Sequence, residues 1–176
     1  MNVRCIAASI SLSLLLVSAP CMAESATEAS FKKGVEYYRE ADYRSSLAEF
    51  RKAYAASGRD YRVLYNIAQC EYQLTNYVGA LESFEAFLSD GAASVSADRR
   101  TEVNQELVKL KARVASLELK SSTEVEVSVD GEAFAKPAKD RPMRLNPGRH
   151  KIEVRAEGFE PRIESVEVGA TARAWT

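Results

Sequence analysis

Few side chains in this 176-residue chain have the chemistry to carry a reaction, and each lacks the companions its chemistry needs. Ser30 and Lys33 have the Ser-x-x-Lys spacing of acyl-transfer enzymes, in which a lysine serves a serine nucleophile. Neither a Lys-Thr-Gly nor a Ser-Asp-Asn element accompanies them, and they open an apolar helical pattern, so the spacing is read as coincidence. His150 has no second His and no nearby Cys with which to hold a metal. Its place beside Ile152 and Val154 makes it a strand residue near the edge of a core. Glu102 and Glu106 stand one helical turn apart and read as a solvated face. No glycine-rich loop that would cradle a phosphate is present in the sequence. The expectation is a protein without catalytic residues, cofactor or metal.

Composition narrows the partners. With 24 Lys plus Arg against 25 Asp plus Glu, the chain lacks the concentrated positive charge that nucleic acid requires. At 46% hydrophobic and 28% charged, it is a folded protein of one domain or two small ones. The first 23 residues follow a different rule: Arg4, an apolar run from Ile6 to Val17, Pro20, and then Cys21-Met22-Ala23 before Glu24. This is the pattern of a signal peptide cut near Ala23, and the apolar run is shorter than the ~20 residues a membrane helix needs. A lipid anchor at Cys21 is the alternative, although Pro20 stands where a small residue belongs. Export to the periplasm or beyond is expected, with no retained transmembrane helix. After the cut only Cys70 remains, which excludes an intramolecular disulfide or a cysteine-based zinc site. It sits in a helical apolar pattern, where it reads as a small hydrophobe.

The elements that must position any binding residues begin with an internal repeat. At an offset of 34 residues Tyr38 matches Tyr72, Tyr43 matches Tyr77, Leu47 matches Leu81 and Phe50 matches Phe84. Gly34 and Ser46 fall opposite Ala68 and Ala80, and Phe31 opposite Tyr65. Each copy is an apolar helix, a short polar break and a second helix. The small residues mark where two antiparallel helices cross closely. Over residues 29–92 this pattern resembles the tetratricopeptide repeat, with Gly58 and Ala92 standing where that family usually has Pro. The resemblance implies a concave groove lined by the first helix of each pair, here Arg62, Tyr65, Asn66, Gln69, Tyr72 and Gln73. Helical periodicity independently puts these six on one side. The groove would take a protein or peptide partner. Of the family's carboxylate-gripping set only Asn66, and Arg100 in a third unit, have counterparts, since Phe31 and Val35 replace the first-repeat Lys and Asn.

Ser96 reads as the N-cap of a further helix whose stripe runs through Val103, Leu107, Leu110, Val114 and Leu117, suited to cap the open face of two repeats. The period then changes to two. Val125, Val127 and Val129 alternate with polar residues before an Asp130-Gly131 turn, and His150, Ile152 and Val154 share a later strand face. The Val-Asp-Gly hairpin, the Pro147-Gly148 turn and Gly158-Phe159 resemble the PEGA-type domain, a small β module of bacterial envelope proteins. The expected fold is therefore α+β. A signal peptide (1–23) precedes tetratricopeptide-like hairpins with a capping helix (24–115), and a small antiparallel β-sandwich module (116–176) follows. A module of about 60 residues is marginal alone, so packing on the capping helix or on a partner is expected. An alternative site is the basic loop with Lys136, Lys139, Arg141 and Arg144, which would attract an anionic envelope polymer or lipid head group.

Overall fold

The computed structural model describes residues 20–117, 124–134 and 143–169, without the side chains of 20–25 and 134. Of the expected leader (1–23), residues 1–19 lie outside the described residues. Five helices come first: α1 (Pro20–Arg39), α2 (Tyr43–Ala56), α3 (Arg62–Gln73), α4 (Tyr77–Gly91) and α5 (Ala97–Lys111). Antiparallel strands follow: β1 (Ala115–Leu117), β2 (Glu126–Val129), β3 (Glu132–Phe134), β4 (Met143–Leu145), β5 (Gly148–Arg155) and β6 (Arg162–Val168). They form a two-stranded sheet, β1-β4, and a four-stranded sheet in the order β3-β2-β5-β6. The fold class is α+β. No helix among the described residues is long and apolar enough to cross a membrane.

The 34-residue offset reappears in the backbone. Ala41 and Thr75 adopt φ of 60° and 59°, left-handed positions that end α1 and α3. Asp42 and Asn76 follow with nearly the same dihedrals, and their side chains accept from Ser45 N at 3.1 Å and Gly79 N at 3.2 Å. These are N-caps, which satisfy a first-turn N–H and start α2 and α4 at a fixed angle. α1 packs on α2 and α3 on α4.

The close crossing in the first pair is at Gly34. A Cβ there would stand 2.8 Å from the Phe50 ring, and Ser46 Oγ donates to the Gly34 carbonyl at 2.7 Å. Ser46 is fully buried and its hydroxyl also meets Cys70 Sγ at 3.2 Å. Ala68 and Ala80 occupy the equivalent places in the second pair, both fully buried. Around them Phe50, Leu64, Ile67, Leu81, Phe84 and Phe87 form the helical core, closed by Val103, Leu107 and Leu110 of α5. Ser96 caps α5 as its sequence suggested, its side chain accepting from Arg99 N at 3.4 Å.

The apolar stripe misleads at the far end of α5. The helix stops at Lys111, Val114 is buried in the connection, and Leu117 belongs to β1. There Ala115 and Leu117 pair with Leu145 and Met143, and Leu117 enters a second core with Val127, Val129, Met143, Leu145, Ile152 and Val166. A residue at 110, 114 or 117 suits a helical face, but 115 and 117 also suit strand alternation, and pairing with β4 decides between them. In the larger sheet Val129 stands opposite Ile152 and His150 opposite Val166. Asp130 (φ 53°) and Gly131 (φ 88°) make the two-residue turn between β2 and β3.

The strands are joined to the helices at α4. Asn146 Oδ1 accepts from Val78 N at 2.9 Å, and Asn146 Nδ2 donates to Asn76 Oδ1 at 2.9 Å. Arg144 donates to both carboxylate oxygens of Glu85, at 2.7 and 3.3 Å, and Lys111 Nζ lies 3.8 Å from the same group. Docking was expected on the capping helix; the polar contacts are made instead to α4 and its cap, and Lys111 of α5 only joins Arg144 at the α4 carboxylate.

The crossing at Gly34 has no room for a methyl group. Gly34→Ala is expected to lower stability by about 1–3 kcal/mol despite the better helix propensity of alanine. Thermal unfolding of the variant measures this, and an unchanged midpoint would show that Phe50 yields without strain.

Candidate functional site

The six α3 residues that share a helix side divide into three groups. Arg62 is tied to Asp60, with Nε 2.9 and 2.8 Å from the two carboxylate oxygens and Nη2 in closer contact still. That pair holds the start of α3, where Asp60 Oδ1 also accepts from Arg62 N at 3.0 Å. The Arg62 hydrogen bonds, working against partial burial, hold the Asp60 carboxyl below its usual range.

Tyr65 and Gln69 face α5. The Tyr65 ring meets Phe84 and Phe87 edge-on, at centroid distances of 5.6 and 5.8 Å, and the Arg99 guanidinium lies 4.5 Å over it. Its hydroxyl donates to Glu102 Oε1 at 2.8 Å and accepts from Gln69 Nε2 at 3.3 Å. Burial, and then the bond to Glu102, push the phenol up from its ordinary pKa. These two residues hold the capping helix, which the sequence did not indicate. Glu102 was read as a solvated acid, and no local pattern tells that a tyrosine one helix away will reach it.

Asn66, Tyr72 and Gln73 are the remainder. Tyr72 is half-buried, with its ring edge-on to Tyr77 at 5.8 Å. Arg113 spreads over both rings, 5.7 Å from Tyr72 and 5.1 Å from Tyr77, and donates to the Tyr77 hydroxyl at 3.0 Å. Asn66 is half-buried and Gln73 exposed, and the side chain of neither has a polar partner among the described residues. Arg100, the third-unit cation, donates instead to the Ala92 carbonyl.

Beneath this face lies a charged residue that the groove reading missed. Glu71 is only 4% exposed, accepting from Arg51 Nη2 of α2 at 3.0 Å and from Ser83 Oγ of α4 at 2.7 Å. Gly79 lets it approach: a Cβ there would stand 3.0 Å from the Glu71 carboxyl carbon. The signal was available, because Leu64, Ile67 and Glu71 fall on one stripe, and a carboxylate on an apolar stripe must find donors.

Of the basic loop, Lys136, Lys139 and Arg141 lie outside the described residues. Arg144 is bound to Glu85, so its charge is already met within the chain. Comparison with protein-family models finds no match to this chain, and a search of curated proteins finds none either.

Glu71 joins three helices through two side chains, so Glu71→Ala strips the half-buried Ser83 hydroxyl and Arg51 of their acceptor. The expected cost is about 1–3 kcal/mol, moderated because Arg51 keeps water access. Arg51→Ala, with the same loss of an ion pair but an exposed side chain removed, should lose stability too. Urea unfolding of both variants checks the result, and equal stability to the parent would demote Glu71 to a bystander.

Proposed function

We propose that this protein is an exported, non-catalytic adaptor of the bacterial envelope, docking a protein segment along α3 in the manner of a tetratricopeptide groove. Its strands then serve as a PEGA-like module for placement. The observation that carries the reading is the pair of amides on Asn66 and Gln73, which lack polar partners among the described residues and flank the half-buried Tyr72. An amide offers a donor pair and an acceptor, the complement of a peptide unit. Seven residues of helix separate the two by about 10 Å, which an extended peptide covers in about three residues. Tyr72 and the Arg113 plane beside it add flat apolar area at low entropic cost. The leader pattern of the first 23 residues supports export, and the resemblance of the strands to envelope modules agrees with it.

Asn66→Ala together with Gln73→Ala breaks no described side-chain hydrogen bond, so the fold should be unchanged by circular dichroism. A photo-reactive residue at Gln73 in living cells should capture a discrete protein, and the same group at Lys139 should not. Introducing Asn66→Ala should reduce capture at Gln73 by about fivefold or more, the effect of one interface hot spot. Capture of glycan or lipid at Lys139 alone, with nothing at Gln73, would overturn the adaptor reading.

A further inference from the structure

His150 stands where the strands meet the helices, and its ring is bracketed by two groups that only accept hydrogen bonds. Nδ1 lies 2.7 Å from Asp130 Oδ2, and Nε2 lies 2.8 Å from the backbone carbonyl oxygen of Asn146. A neutral imidazole has one N–H and one lone pair, so it satisfies one of these acceptors and turns a lone pair on the other. The imidazolium satisfies both. Asn146 in turn is the residue that grips α4, accepting from Val78 N and donating to Asn76 Oδ1. The ring is therefore one residue removed from the junction between the two halves of the chain.

We propose that protonated His150 locks the β module onto α4 through Asn146, and that loss of the proton releases this latch. With one proton left, the ring keeps it for Asp130, because a bond to a carboxylate is stronger than one to a neutral carbonyl. Repulsion then falls on the Asn146 side, where the docking contacts are. Asp130 itself stays ionised: the Lys151 backbone N–H and then His150 hold its carboxyl below the usual range.

The surroundings set the direction. Burial of the ring opposes the charge, while the bonds to Asp130 and Asn146 and the more distant Glu167 carboxylate on β6 favour it, and the net pKa lies above the ordinary imidazole value. Glu167 is paired with Arg149 at 3.3 Å. Arg149 and Lys151 project from the other face of β5 by strand alternation. On the helical side, Arg144 and Lys111 are drawn to Glu85. A raised pKa means that the latch is fully closed below the ordinary imidazole range and opens as pH rises through the folded-state value.

His150 is the sole histidine, so its ring protons can be followed in the full chain without assignment ambiguity. Nuclear magnetic resonance across pH 5 to 9 should show the Val78 amide shifting with the same midpoint as the ring. The hydrogen-exchange protection of Val78, corrected for intrinsic rate, should fall several-fold across that midpoint, because the ring proton stabilises the closed form over the open one. Asp130→Asn should lower both midpoints together, and His150→Gln should abolish the pH response at Val78. A Val78 signal that ignores the ring titration in the parent protein would overturn the proposal without any variant. So would an unchanged response in His150→Gln.

Discussion

The first turn of α4 imposes the constraint on which the rest of the molecule depends. A helix start leaves N–H groups that have no partner within the helix. Here Gly79 N is met by Asn76 and Val78 N by Asn146, a residue from the far side of the chain. The two asparagines also bond to each other. One cap therefore ends the turn of the second hairpin, orients α4 beneath α3, and supplies the seat for the strands. The same cap in the first hairpin, at Asp42, has no such second duty among the described contacts.

How far sequence alone reaches is clear from particular residues. The repeat of small and aromatic side chains pointed to paired helices because the physics is nearly local: left-handed Ala41 and Thr75 and capping Asp42 and Asn76 act within a turn of themselves, and Gly34 meets Phe50 on the very next helix. Alternation likewise put Val127 and Val129 on one strand face, and both are buried. Leu117 shows where this fails. Its spacing satisfied a helix and a strand alike, and only the presence of β4, some 26 positions later, chose the strand. Arg144 was read as a loop cation for the same reason, since its partner is on α4.

The α3 face repeats that lesson for the site. Periodicity gathers six residues onto one side of a helix, yet it does not tell which of them the protein uses for itself. Tyr65 and Gln69 serve α5, Arg62 serves its own helix start, and Asn66 and Gln73 are left with uncommitted polar groups. The division follows from where α5 lies, and that position is set by Val103, Leu107 and Leu110 entering the helical core. Glu71 belongs with these long-range effects. Its donors come from α2 and α4, so its burial is legitimate only after the three helices have assembled.

The link between the two cores is short. Val114 is packed in the helical core and Leu117 in the strand core, three positions further along the chain. An extended stretch of that length reaches about 11 Å. The strands are thereby kept near α4 whether or not Asn146 is engaged, and the docking behaves as an intramolecular equilibrium at high effective concentration. A pair of amide hydrogen bonds and one half-exposed ion pair, too few to hold two separate molecules, become enough to set the arrangement of a tethered pair. Weak contacts of this kind form and break readily, so the tether gives the two halves a defined pose without making that pose permanent.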